Sequence, residues 1–288
     1  MKHCTPNAHI SDSRFYGGGY TTQEARRIFC DLYRYQRWLD VETALASSQS
    51  ELGIIPEWAA GELERKAHIG RLDLDAIEKG VRESSHSLLP LLRAWESVCD
   101  GTAGQFIHFG ATTQDIQDTA QVLEMADVLD IVERDLRTVT GLVINLAERY
   151  KDLVTIGRTH TQHALPMTMG LKTGVWLDEL WRNYERLVAC RDRVRVSQLF
   201  GGVGTLDAFG PKAIELVALF SQKLDLKAPL TAWHVSRDRA AEFLATMAMI
   251  SGTLAKIADE IRSLARSETG EFEEPFQMGK VGSSTMPH

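Results

Sequence analysis

Apolar positions recur along three stretches of the chain with the spacing of a helix face. Between Asp115 and Tyr150 there is no proline, and Gly141 is the only glycine. Val132, Leu136, Val139, Val143, Leu146 and Tyr150 follow steps of four and three residues, a heptad-like seam. From Leu171 to Gln198 a second seam runs through Leu177, Leu180, Tyr184, Leu187 and Val194, and from Arg237 to Ser267 a third through Leu244, Met247, Leu254, Ala258, Ile261 and Ala265. A helix of about 30 residues is about 45 Å long. Three such rods cannot bury their seams inside a compact domain of this size, so they predict a long-helix bundle shared with other subunits. No run of alternating apolar and polar residues has useful length, and the chain reads as nearly all helix.

The N-terminal third carries shorter patterns. One helix is expected from Thr22 to Leu52, opened by Thr21-Thr22 with Glu24 in its first turn and ended by Gly53-Ile54-Ile55-Pro56. Others are expected over Glu57–Ile69 and Leu74–Glu83, and a boundary falls near Phe106–Phe109. The expected architecture is all-α: an N-terminal helical domain over residues 1–108, then a long-helix bundle over 109–288.

Composition narrows the partners. Of the 288 residues, 44% are hydrophobic and 25% charged, which excludes a disordered chain. Asp and Glu (39) outnumber Lys and Arg (32), a net charge of −7 that argues against nucleic acid. No stretch of roughly 18 uncharged apolar residues predicts a membrane span. Residues 1–14 are polar and lack the apolar core of a secretory leader. Cys4, Cys30, Cys99 and Cys190 are too scattered for a zinc ribbon or a disulfide framework, and read as free thiols of a reducing cytoplasm.

Polar residues collect where the rods break. In His108-Phe109-Gly110-Ala111-Thr112-Thr113-Gln114-Asp115, the glycine lets the backbone turn and hydroxyls gather at a helix start. Capping is their ordinary use; binding a carboxylate is the functional one. In Gly157-Arg158-Thr159-His160-Thr161-Gln162-His163, no acidic ligand lies nearby to make a metal site, and a histidine acting as acid or base fits better. Trp233-His234-Val235-Ser236-Arg237-Asp238-Arg239 opens the third rod; Arg237 or Arg239 either holds an anion or pairs with Asp238. The chain finishes on Gly279-Lys280-Val281-Gly282-Ser283-Ser284-Thr285-Met286-Pro287-His288, a flexible tail or a mobile catalytic loop.

Together, and in this order, these segments resemble the fumarase/aspartase superfamily of lyases. Gly282-Ser283-Ser284-Thr285-Met286-Pro287-His288 supplies the first seven positions of the family's loop pattern G-S-S-x-M-P-x-K-x-N. Gly157-Arg158-Thr159-His160 matches its histidine segment, and Gly110-Ala111-Thr112-Thr113-Gln114-Asp115 its carboxylate-binding segment. The chain is similar to the branch holding adenylosuccinate lyase and 3-carboxy-cis,cis-muconate cycloisomerase. His160 followed by Gln162 is lyase-like, whereas Leu165-Pro166-Met167-Thr168 and Trp233-His234 resemble the muconate enzymes. The pattern's Lys and Asn do not follow, so the resemblance implies an L-aspartase/fumarase-like fold truncated before the end of the bundle and the C-terminal domain.

The resemblance implies anti-elimination from an N-succinyl compound with release of fumarate. The alternatives are a muconate cycloisomerase and a catalytically incomplete lyase-fold scaffold. Carried over residue by residue, Ser283 is the base and His160 either the acid or the residue that orients the leaving group, with Thr112 and Thr113 on a carboxylate and His86 on the leaving side. Gln114, Asp115, Arg158, Thr159, Gln162, Arg237, Ser284 and Met286 line the substrate, and Arg14 holds an anionic leaving group. The expected partner is a small dicarboxylate, with no metal or organic cofactor, no nucleic acid and no membrane. The resemblance also implies a homotetramer with active sites shared between subunits.

Overall fold

The computed structural model of the chain describes residues 9–275 and Gly279. They divide into two compact units. One takes the chain up to Asp135 together with Leu187–Phe243; the other takes Leu136–Arg186 and the chain from Leu244 onward.

The first unit holds α1 (Gln23–Ile28), α2 (Asp31–Glu51), α3 (Glu57–Lys66), α4 (Leu74–Ser84) and α5 (Leu89–Val98). It also holds the first part of α6 (Thr113–Arg149), the last turns of α7 (Met169–Val194), α8 (Ala213–Lys223) and the opening of α9 (Asp238–Leu264). The capping signals act as expected. Thr22 accepts the Ala25 amide at 3.2 Å and Asp73 the Ala76 amide at 3.0 Å, each satisfying an otherwise orphan donor. Pro56 precedes α3, and α2 ends before Gly53. The single helix expected over Thr22–Leu52 is two helices, because the chain is extended at Cys30.

Helix α2 is the core of this unit. Leu39, Val41 and Leu45 are buried on it, and they pack in one cluster with Leu63, Leu91, Trp95, Ile116, Ala120, Leu199 and Phe220. Each such side chain contributes roughly 1.5–3 kcal/mol by leaving water. Polar and charged residues on the flank of α2 fasten α6: Arg34 donates to Glu124 at 3.0 and 3.2 Å, and Tyr33 and Arg37 both bond Asp127.

The second unit holds β1 (Val154–Thr159), β2 (Gln162–Thr168) and the remaining parts of α6, α7 and α9. The fold is mostly helical, as expected, and this antiparallel hairpin is its one sheet among the described residues. Val154, Thr155, Ile156 and Thr159 are β-branched and favour a strand. The hairpin turns on two residues, His160 and Thr161, with φ of 49° and 64°. That geometry usually carries Asn-Gly, so the turn left no sequence signal. An irregularity in the register lies between Ile156 and Arg158, at Gly157.

The expected α7 seam holds at Leu180, Leu187 and Val194, and the α9 seam is displaced. On α7 the buried line is Met169, Thr173, Trp176, Leu180, Asn183, Leu187, Cys190 and Val194. On α9 it is Phe243, Thr246, Ile250, Thr253, Ile257 and Leu264, while Leu244 of the expected seam is 64% exposed. Polar residues sit inside both lines, and Asn183 and Thr253 are paired. Asn183 Nδ2 donates to Thr253 Oγ1 at 2.7 Å, Thr253 donates to Glu179 at 2.7 Å, and Lys256 also bonds Glu179. A polar pair within an apolar seam fixes register, since sliding would strand it. By length and composition α9 is apolar enough to cross a membrane. Its Glu260 bonded to Lys172, with Lys256 on Glu179, instead fits a bundle helix tied to α7.

Candidate active site

The opening of α6 gathers chemistry within the first unit. The approach to it is held by glycine: Gly110 has φ +78°, and a Cβ there would meet the Phe209 ring at 2.7 Å. Beyond it, Asp115 is fully buried and spends its carboxylate inside the protein. It accepts the amides of Thr112 (3.0 Å), Phe200 (2.9 Å) and Gly201 (2.9 Å), and His234 Nε2 lies 2.8 Å from Oδ1. Four bonds use the lone-pair positions of a carboxylate. Asp115 is therefore framework that shapes the loop before α6, and it has no acceptor left for a ligand.

His86 follows α4, after Ser85 has turned the chain at φ 53°. The Leu89 amide donates to His86 Nδ1 at 3.0 Å, so the neutral ring carries its proton on Nε2. That nitrogen lies 3.4 Å from Thr113 Oγ1. His86 and Thr113, 27 positions apart, are thus brought together at a helix start. Gln114 donates to Asp118 at 2.6 Å rather than outward. Arg237 forms a two-pronged pair with Asp118, at 2.8 and 3.1 Å, not with Asp238. Its side chain stays 45% exposed, so its outer edge remains open. Arg14 is exposed and lies over the Phe15 ring.

Behind this loop, His108 sits at φ 60° with Nδ1 2.6 Å from Oε1 of the buried Glu42. Burial opposes charge on His108, but the hydrogen bond and charge of Glu42, with a smaller pull from Asp115, outweigh it and raise its pKa. Gln49, also on α2, donates to the Phe109 carbonyl at 2.7 Å.

In the second unit, His160 occupies the exposed tip of the β1–β2 hairpin, and its ring has no hydrogen-bond partner among the described residues. Thr159 and Gln162 pair across the turn. Arg158 points to Glu271, which also accepts from Thr155 Oγ1 at 3.0 Å; the Arg158 bond foremost lowers the Glu271 pKa. Ser283, Ser284 and Met286 lie outside the described residues. So does Cys4, while Cys30 and Cys99 are free thiols, with burial pushing Cys99 up to about 11. Among the described residues no cluster of three or more His, Cys, Asp or Glu has the arrangement of a metal site.

Sequence reasoning missed His234 and Asp118 as partners, together with Glu42 and Glu271. His234 and Asp115 are 119 positions apart, and nothing local in the sequence announces their bond.

Comparison with known proteins agrees with these motifs. A sequence family described as "Lyase" matches residues 21–288. The chain is 42% identical to the N-acetyl-S-(2-succino)cysteine lyase of Enterococcus italicus, over 98% of this chain and 62% of that one. It is 40% identical to the adenylosuccinate lyase of Methanocaldococcus jannaschii, over 93% of this chain and 59% of that one. The crystal structure of the 3-carboxy-cis,cis-muconate lactonizing enzyme from Pseudomonas putida superimposes with a TM-score of 0.90 at 35% identity, covering 96% of this chain and 62% of that one. The chain spans about three-fifths of the length of the curated relatives it matches. With its helical fold, its ordered motifs and this breadth of likeness, the chain belongs to the fumarate lyase superfamily.

Proposed function

We propose that the protein is a lyase that breaks the bond between a succinyl carbon and its nitrogen substituent and releases fumarate. The observation that carries this reading is the donor set at the start of α6, where the His86 Nε2 edge meets Thr113 beside Thr112. Hydroxyls, unpaired helix amides and the positive end of the helix dipole suit a carboxylate. In this reading Thr112, Thr113 and the open edge of Arg237 receive the dicarboxylate. Ser283, in the segment with Ser284 and Met286, acts as its deprotonated oxyanion and takes the proton beside one carboxylate. The resulting dianionic aci-carboxylate is held by fixed donors. The C–N electron pair then leaves with nitrogen, which takes a proton from His160. Arg158, Thr159 and Gln162 frame that histidine, and Arg14 meets the leaving group.

A cytoplasmic homotetramer with shared sites belongs to the same proposal. Supporting it are the exposed position of His160 and the exposed apolar residues of the long helices, such as Trp181 (56%) and Leu244 (64%). A second reading, a succinyl thioether as substrate, is favoured by the likeness to the Enterococcus lyase.

The test is turnover by the natural full-length protein of adenylosuccinate, of N-acetyl-S-(2-succino)cysteine and of 3-carboxy-cis,cis-muconate, with fumarate followed by ultraviolet absorbance. Fumarate from adenylosuccinate supports the proposal, and fumarate from the thioether alone moves it to the second reading. Consumption of carboxymuconate without fumarate overturns both. No turnover of any by a folded oligomer leaves a non-catalytic scaffold.

A further inference from the structure

The two histidines tied to the opening of α6 present opposite faces. His86 has its Nδ1 lone pair occupied by the Leu89 amide, so its neutral ring offers an N–H at Nε2. His234 is the reverse. Its Nε2 faces Asp115 Oδ1 at 2.8 Å, and Asp115 is fully buried and accepts only, so the Nε2 proton is fixed there. The neutral ring therefore keeps an unshared lone pair on Nδ1, which has no partner among the described residues, and the side chain remains 18% exposed. The carboxylates of this cluster are already in use. Asp118 is taken by Gln114 and Arg237, and Asp115 by three amides and His234. The backbone at His234 is also held, since Arg237 donates to the His234 carbonyl and the Trp233 amide donates to Gln198 Oε1 at 3.1 Å. A histidine oriented by a buried carboxylate, with its far nitrogen free, is the arrangement that prepares a ring to receive a proton or a hydrogen bond.

We propose that His234 is a specificity-determining residue: through Nδ1 it accepts a hydrogen bond from an N–H or O–H carried by the leaving portion of the substrate, with Asp115 as the residue that positions it. The inference rests on the proposed reading of the site as one for succinyl compounds. It adds a requirement, namely that succinyl groups on a donor-bearing atom are preferred over succinyl thioethers, whose sulfur has no hydrogen to give.

The test uses two probes that differ at that atom, N-ethylaspartate and the thioether ethylthiosuccinate. Binding of each to the full-length protein is measured by calorimetry for wild type, His234→Ala and His234→Gln. Unfolding temperatures are recorded to show that all three fold. The expected result is a loss of about tenfold in N-ethylaspartate affinity for His234→Ala, the worth of one hydrogen bond. The thioether should change less than twofold, and His234→Gln, which restores an acceptor oxygen, should recover part of the loss. Equal losses for both probes, no loss for either, or binding of the thioether alone by wild type overturns the role of His234. Failure of wild type to bind either probe overturns the reading of the site itself.

Discussion

Two regions of the molecule carry histidines at motif positions, and they are built in opposite ways. At the opening of α6 the Asp115 carboxylate is fully partnered, and the geometry is fixed by buried bonds running to residues far away in the chain. At the β1–β2 tip, His160 and Thr161 both hold left-handed backbone angles and the His160 ring touches no hydrogen-bond partner among the described residues. The first region is pre-organised by its own chain. The second places non-glycine residues at left-handed angles in a two-residue turn, a conformation that costs energy and is associated with functional positions.

Asp115→Ala removes the acceptor of three amides and His234 from a fully buried place, and should destabilise the protein by about 3–5 kcal/mol. Urea unfolding would measure it, and a loss under about 1 kcal/mol would mean the opening of α6 is less firmly built than described. Gly110→Ala comes next. A left-handed angle and a contact with Phe209 should together cost about 2 kcal/mol in the same assay.

The pKa of His108 is raised in the folded state, so its pairing with Glu42 stabilises fully below the unfolded value, about 6.5. That contribution is lost as pH rises through the higher folded value. Unfolding free energy should therefore fall across this window in wild type, and Glu42→Gln should flatten the slope. An unchanged slope would remove the pair from the account.

The smallest effect belongs to the hairpin. Thr161→Gly relieves a β-branched residue at φ 64° and should stabilise by about 1 kcal/mol or less. Destabilisation on thermal unfolding would mean the tip is relaxed as it stands.

Much of this was legible in the chain. Thr22, Gly53, Pro56 and Asp73 punctuate the N-terminal helices because capping and breaking are local events. The long helices were found for the same reason, by uninterrupted periodicity. What periodicity missed is which side of a two-faced helix its own chain covers: on α9 Thr246 and Thr253 are buried while Leu244 is not. A threonine that bonds across to Asn183 can replace a leucine inside, and hydrophobicity alone does not see that. The motif histidines were identified from local pattern, but their partners were not. Asp115–His234 and Glu42–His108 are long-range bonds whose members look like ordinary surface residues in sequence.

The hairpin has one further consequence. A two-stranded ribbon has two open edges, and open edges invite other strands to add to them. Here Pro166 on β2 deletes one backbone donor, and the irregularity at Gly157 interrupts the even spacing of the other strand. The ribbon is a broken template for cross-chain β-association, so an exposed and strained tip can be displayed on a long-helix protein without making it a seed for aggregation.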